Sequence, residues 1–425
     1  MKIETRGLDS VPGPERKASG ADLFVIWAGV SFCLPSFITG ALLVPAFSWA
    51  DAVEINFLGN LLVGVLIVLG GYYGTRTGYP AVVYGRHVFG YPLGHWIPTF
   101  ALLASTLGWY AVMTAMTGAF INDVIKTATG FSSPVLVVIL VGLLNASTAV
   151  LGYQKIRRLS WITVPLLSTI CLWMIYKIMS TAAMPELLGY RPGGGLSYAG
   201  GVDLIIGGFL AGAFAASDFS RYARSNRDNW IGTMAGAFLV SFLLGLIGML
   251  SVAATGDWNP LSAVMALGMG IPALIFVVLA NWTTNDNLLY SSGLALTNIM
   301  PGLTRWKNTL LCGVAGTVMA AAGITDYLQS WLMLLAYVFS PLLGVVLTDF
   351  FIITGKKTAA PLNIQAVAAL AAGIVIAAAT PQQYMASLAG LAGGAAAYIL
   401  LLVITGQAVL RRAVHKKQPA AKSRV

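Results

Sequence analysis

Twelve apolar stretches, each near the length needed to cross a bilayer, constrain this chain more than any motif it carries. They lie at about 22–46, 55–75, 96–121, 134–153, 159–180, 201–220, 229–253, 262–299, 308–323, 326–353, 362–380 and 386–407. A hydrocarbon core of ~30 Å takes about 20 residues of helix, and within it every backbone N–H and C=O must be bonded inside the protein. Such a succession folds as an all-α polytopic membrane protein of twelve transmembrane helices. Composition agrees, since 57% of the 425 residues are hydrophobic and 9% charged, against about 25% charged in soluble domains. The stretch at 262–299, with Pro260 before it and Pro272 inside it, predicts a surface segment first and a true span from about 271.

The basic side chains sort with this count. Lys and Arg gather in the short cytoplasmic loops of membrane proteins. With the N-terminus inside, the cytoplasmic set is Lys2, Arg6, Arg16, Lys17, Arg76, Arg86, Lys155, Arg157, Arg158, Arg221, Arg224, Arg227, Arg305, Lys307, Lys356, Lys357 and the six basic residues after 410, which is 22 of 25. Lys126, Lys177 and Arg191 fall outside, with the acids Asp51, Glu54, Asp123, Glu186, Asp257 and Asp326. The expected setting is the cytoplasmic membrane with both termini inside, and the net charge of +10 then needs no nucleic-acid partner. The basic tail from Arg411 reads as a topology anchor able to touch anionic lipid headgroups. Cys33, Cys171 and Cys312 lie within spans and read as packing residues, too few for a disulfide framework or a metal site. The first apolar stretch is long and lacks a cleavage site, so it is expected to remain as a membrane helix.

No soluble domain fits between the spans. The expected organisation is a cytoplasmic segment at 1–20, a transmembrane domain at 21–410 and a basic cytoplasmic tail at 411–425. Two interruptions suggest a repeat. Span one contains Ser31-Phe32-Cys33-Leu34-Pro35-Ser36, where proline removes a helix hydrogen bond, and span six contains Gly207-Gly208-Phe209-Leu210-Ala211-Gly212-Ala213, where glycines weaken the helix. Five spans separate them, and an odd repeat re-enters the membrane inverted. That gives repeats at about 21–182 and 201–353 with additional helices at about 362–407. The competing reading is that small residues here serve close helix packing.

Polar groups are costly at bilayer depth and point to a site. Asn281-Trp282-Thr283-Thr284-Asn285-Asp286-Asn287 is the densest such run. Helical spacing puts Asn281, Thr284, Asn285 and Leu288 near one face, with Ala280, Thr283 and Asn287 beside it. Paired hydroxyls next to carbonyls freed by a helix break would make an uncharged all-oxygen site suited to a hard monovalent cation, with sodium the natural candidate. Alternatively the threonines bond back to their own helix. Asp286 is the strongest ionisable candidate, as a proton relay or half of a pair. Asp218 and Arg221 have the i,i+3 spacing of an ion pair, and Asp349 reads as a gating or topology residue. Trp109 and Phe209 are expected near mid-depth, where two rings could sandwich a planar heterocycle or simply pack in the core.

These residues resemble the nucleobase–cation symporters of the cytosine permease type. The resemblance is carried by Asn281-Trp282-Thr283-Thr284-Asn285-Asp286-Asn287-Leu288-Leu289-Tyr290-Ser291-Ser292-Gly293-Leu294, by Gly108-Trp109, and by Ser217-Asp218-Phe219-Ser220-Arg221-Tyr222-Ala223-Arg224. Gly59-Asn60-Leu61-Leu62-Val63-Gly64 and the turn Gly74-x-Arg76-Thr77-Gly78 match as well. It implies the leucine-transporter type of fold, an inverted five-plus-five repeat with helices one and six broken. It also implies a sodium site from the backbone carbonyls of Gly29, Phe32 and Ala280 and the hydroxyls of Thr283 and Thr284, and a substrate sandwich of Trp109 and Phe209. The polar substrate contacts depart from the cytosine permease pattern. Thr106 replaces a glutamine, Ala211 a serine and Ala280 an asparagine, each losing hydrogen-bonding reach, and Asn281 could compensate only if the helix rotated. Cytosine itself is therefore not assured as substrate.

The resulting expectation is a monomeric secondary transporter importing a nucleobase or related planar heterocycle, coupled to sodium, with no organic cofactor and no covalent chemistry. The rival is a proton-coupled symporter of a vitamin precursor or hydantoin-like heterocycle. A channel would need a continuous polar pore, and an enzyme a nucleophile with its base or clustered metal ligands; the sequence offers neither pattern.

Overall fold

Where the first apolar stretch meets Pro35, it bends instead of forming one rod. Helix α1 (Gly20–Ser31), opened by a capping box between Ser19 and Asp22, stops short of Phe32. Helix α2 (Leu34–Ala41) starts after an extended Cys33 and holds Pro35 in its first turn, where a missing N–H costs nothing. The two axes meet at 61°. The structure is a computed structural model and describes residues 4, 6–44, 46–181, 193–255, 270–353, 362–381 and 383–406. Expectations for Arg191, Glu186, Asp257, Lys356, Lys357, the surface segment before 270 and the tail from 411 fall outside the described residues.

The helices that follow are α3 (Trp49–Thr77), α4 (Ala81–Phe89), α5 (Leu93–Thr129), α6 (Pro134–Ala149), α7 (Tyr153–Thr181), α8 (Tyr198–Ala215), α9 (Ser217–Ser220) and α10 (Asn226–Met234). A π-helical turn at Ala235–Leu239 leads into α11 (Val240–Thr255), and α12 (Gly270–Ile299), α13 (Arg305–Ala321), α14 (Leu328–Phe351), α15 (Ile364–Ala379) and α16 (Ala386–Ile404) complete the chain. Every expected apolar stretch contains a helix. Seven described helices are long and apolar enough to cross a membrane, eight if the bent α1–α2 pair is one span. The count of twelve is larger because it admits shorter or more polar elements: α6 and α15 have 16 residues each, about 24 Å at 1.5 Å per residue, α13 carries Arg305 and Lys307, and α12 carries the polar run.

Span six corrects an expectation. Helix α8 runs unbroken through Gly207, Gly208 and Gly212, and its one interruption is at Ala216, after which α9 continues to Ser220. Three glycines lower helix propensity by about 1 kcal/mol each. Unwinding in apolar surroundings would leave several backbone groups unbonded at a larger cost. A proline breaks span one because it cannot make the bond at all.

Glycines instead let helices touch backbone to backbone. A methyl on Gly70 of α3 would overlap the carbonyl of Ala213 on α8, one on Gly40 of α2 would overlap Gly245 of α11, and one on Gly344 of α14 would overlap the Leu391 carbonyl of α16. The last two helices are further tied in by Tyr398, whose hydroxyl donates to Asp349 at 2.8 Å and lies 2.9 Å from Asn363 Nδ2.

The N-terminal segment straps across one end of the bundle. Val11 N donates to Gly78 O at 3.0 Å and Ala18 N to Tyr222 O at 2.8 Å. Glu4 accepts from Tyr153 N at 2.7 Å, Tyr222 OH at 2.8 Å and Tyr290 OH at 3.3 Å. Arg221, fully buried, bonds to Tyr290 OH at 2.7 Å and lies 3.9 Å from Glu4. The expected Asp218–Arg221 ion pair is therefore not formed. Asp218 accepts from Ala81 N at 2.9 Å, because α4 begins after Pro80, which has no side chain to cap the free amides of the first turn.

The close-packed seam and the unbroken α8 make a paired prediction. Gly70→Ala should cost about 1–3 kcal/mol in thermal unfolding in detergent. Gly208→Ala, where nothing lies within 4 Å of the new methyl, should be neutral or gain up to about 1 kcal/mol from helix propensity. Loss of stability in the second variant would contradict a continuous helix there.

Candidate functional site

Ending α1 at Ser31 leaves carbonyls that a continued helix would have used. Those of Gly29, Val30 and Phe32 turn towards α12, whose polar run supplies the partners. Thr283 Oγ1 lies 3.0 Å from Gly29 O, 3.1 Å from Leu279 O and 2.9 Å from Ala280 O. Thr284 Oγ1 lies 3.2 Å from Gly29 O, 3.4 Å from Val30 O, 3.5 Å from Phe32 O and 3.0 Å from Ala280 O. The threonines do bond back along their own helix, and each hydroxyl also reaches α1. All five residues named for a cation come together here: Gly29, Phe32, Ala280, Thr283 and Thr284. The carbonyls of Val30 and Leu279 join them. Two hydroxyl protons are shared among five carbonyl oxygens, and no formal charge lies within the group. Thr283, Thr284, Ala280 and Phe32 are all buried, so the surplus of lone pairs is held away from water.

Other polar residues of α12 face elsewhere. Asn281 donates its amide to Thr117 Oγ1 of α5, and Asn285 to Thr114 Oγ1 at 3.3 Å. Both amide oxygens are buried without a hydrogen-bond partner among the described residues. Asn287 donates to Thr283 O at 2.8 Å, steadying the threonine turn. Asp286 points towards α6, accepting from Thr148 Oγ1 at 2.7 Å, and Thr148 in turn accepts from Trp282 Nε1 at 2.9 Å. No hydrogen bond links Asp286 to the threonine pair.

Trp109 and Phe209 are both partly buried against the main core, and no ring contact joins one to the other. Trp109 instead meets Trp331 of α14 edge-on, with centroids 5.1 Å apart at 74°. Trp331 lies where a side chain on Gly108 would be and donates from Nε1 to Ala104 O at 3.1 Å. This tryptophan was missed in the sequence, though Gly108 beside Trp109 was its trace: only glycine leaves room for a ring. Thr106 Oγ1 is held by Leu102 O and Ser292 Oγ, both at 2.7 Å, so it braces α5 against α12. Ala211 is buried in the core of α8.

Residues 10–401 match the family of permeases for cytosine/purines, uracil, thiamine and allantoin. The chain is 30% identical over 373 residues to the cytosine permease of Escherichia coli (strain K12), covering 87% of each chain. It is 24% identical over 373 residues to the hydantoin permease of Microbacterium maritypicum, covering 81% of this chain and 75% of that one. Among solved structures, it is similar to Mhp1, a nucleobase–cation symport family transporter in a closed conformation with bromovinylhydantoin bound. The TM-score is 0.84 at 21% identity, with 96% of both chains covered. A Na+-coupled sialic acid symporter in a substrate-bound outward-open state matches with a TM-score of 0.66 at 14% identity, over 92% of this chain and 89% of that one. These likenesses give the fold as the leucine-transporter type. With its apolar helices and buried polar site, the chain is an integral membrane transporter, not an enzyme, and it belongs to the nucleobase–cation symporter family of the cytosine permease type.

Proposed function

We propose that this protein imports a nucleobase or related planar heterocycle together with sodium, by alternating access, across the cytoplasmic membrane with both termini inside. The observation that carries the sodium reading is the set of acceptors where α1 breaks: the carbonyls of Gly29, Val30 and Phe32 are met by only two hydroxyl protons, which are also shared with the Leu279 and Ala280 carbonyls of α12. A hard monovalent cation fits such a neutral oxygen set better than a transition metal would. The proposed ligands are the carbonyls of Gly29, Phe32 and Ala280 and the hydroxyls of Thr283 and Thr284. Because they come from both α1 and α12, an ion among them favours whichever state holds these helices together. Coupling needs such a difference in affinity between states.

For the heterocycle, the proposed walls are Trp109 and Phe209, with Thr106, Ala211 and Asn281 lining the polar side. Asn281 and Asn285 offer unbonded amide oxygens, which suit a ligand rich in N–H donors. The hydroxyl of Thr106 is already engaged and Ala211 offers none, so a substrate other than cytosine remains in the frame, and a hydantoin-like ring is the second choice. That choice is supported by the hydantoin permease relative and by the hydantoin derivative in the Mhp1 structure.

Alternating access is supported by the strap at the N-terminal end. Glu4 links the start of α7, the residue after Arg221 and Tyr290 in the C-terminal half of α12, so opening that end must break these bonds. The proton-coupled rival rests on Asp286, buried with Thr148 as its hydrogen-bond partner.

In proteoliposomes, uptake of labelled nucleobases and hydantoins should require sodium and fail in choline. Thr284→Ala should raise the sodium concentration for half-maximal uptake roughly tenfold or more, about 1.4 kcal/mol. Unchanged sodium dependence would remove the threonine pair as ligand. Uptake that ignores sodium, follows pH and is lost in Asp286→Asn would replace sodium with protons. Trp109→Ala should raise the substrate KM by roughly 2- to 12-fold, the equivalent of about 0.5–1.5 kcal/mol of stacking, with the half-saturating sodium concentration little changed. An unaltered KM would show that the ring does not face the substrate.

A further inference from the structure

We propose that the hydroxyl of Ser160, on α7, is a further oxygen ligand of the cation site and helps to set its ion selectivity. The inference rests on the sodium reading above and adds a third helix to it. Ser160 is 0% exposed, and its Oγ has no hydrogen-bond partner among the described residues. Leaving such a group unbonded in the interior is costly. Other hydroxyls on α7 bond to their own helix whether buried or exposed: Thr163 donates to Leu159 O at 3.0 Å, Ser168 to Val164 O at 2.8 Å, Thr169 to Pro165 O at 2.9 Å and Ser180 to Lys177 O at 2.8 Å. Ser160 takes no such bond.

Its surroundings give the reason. A methyl group on Gly29 would lie 3.2 Å from Ser160 Oγ and 3.5 Å from Thr283 Cβ. The serine hydroxyl and the Thr283 side chain therefore both approach the Cα of Gly29 without another side chain between them, beside the residue whose carbonyl both threonines reach. Helix α7 is fixed against α1 by Trp161 Nε1 donating to Asp22 Oδ1 at 3.0 Å and by Arg157 lying 3.4 Å from the same carboxylate. The hydroxyl is thus held in place, polar, dry and unused, beside an oxygen cluster short of positive charge.

The glycine acquires a second meaning. At Gly29 a side chain would fill the space between Ser160 and Thr283, so its absence keeps α7 in reach of the ion. An ion bound there would tie α1, α7 and α12, and its departure would loosen α7 from the broken helix.

The test is sodium stabilisation of the purified full chain, read as melting temperature against sodium chloride at constant ionic strength, with choline chloride making up the balance. Ser160→Ala removes the oxygen, and Ser160→Cys keeps the volume while offering a soft sulfur that suits a hard ion poorly. Both should raise the half-stabilising sodium concentration roughly fivefold or more, and both should change the potency of lithium relative to sodium. A lower melting temperature without sodium and an unmoved midpoint would assign Ser160 to packing alone and overturn the proposal. A wild-type chain that gains nothing from sodium would overturn the cation reading itself, a result distinct from failure at Ser160 only.

Discussion

The fold turns on one exchange of hydrogen-bonding partners. Proline at position 35 stops α1 in the middle of an apolar bundle, and the carbonyls it releases have no water to turn to. They are met by two adjacent threonines on α12, whose hydroxyls are shared between the broken helix and their own preceding turn. Neither partner is at ease alone: the carbonyls would be unsatisfied, and the threonines would have only back-bonds. Together they leave more acceptors than hydroxyl protons, and the proposed ion would use that surplus.

The rest of the molecule holds this meeting in place. Gly40 and Gly245 let α2, on one side of the break, lie directly on α11, and Gly70 brings α3 onto α8 backbone to backbone. Asn281, Asn285 and Thr106 pin α12 to α5 through side-chain bonds. At the strap end, Glu4 gathers Tyr153, Tyr222 and Tyr290, with buried Arg221 beside them. Glycine seams are held by backbone-to-backbone packing, whereas the strap end is held by side-chain and backbone donors converging on one carboxylate.

Much of this was legible in the sequence. Proline has one physical consequence in a helix, so the break in α1 could be placed from Pro35 to within a residue or two. Threonines beside each other in an apolar span also have few uses, which made the Thr283–Thr284 pair stand out. Glycine is ambiguous, and there the reading failed: Gly207, Gly208 and Gly212 looked like a break but sit in a continuous helix, because weak propensity does not outweigh the loss of backbone bonds in apolar surroundings. Spacing alone misled for Asp218 and Arg221, which are close in sequence yet bond to α4 and to the N-terminal strap. Glu4, Trp331 and Ser160 left almost no local signal, since each acquires its role only through residues distant in the chain.

The central claim is that the gap between α1 and α12 holds an ion, and experimental density maps of the protein prepared in sodium and in choline test it most directly. The account predicts a density peak among Gly29 O, Phe32 O, Ala280 O and the two threonine hydroxyls in sodium only, with the hydroxyl-to-carbonyl contacts of Thr283 and Thr284 lengthened around it. Maps showing the same short contacts and no peak in saturating sodium would contradict it.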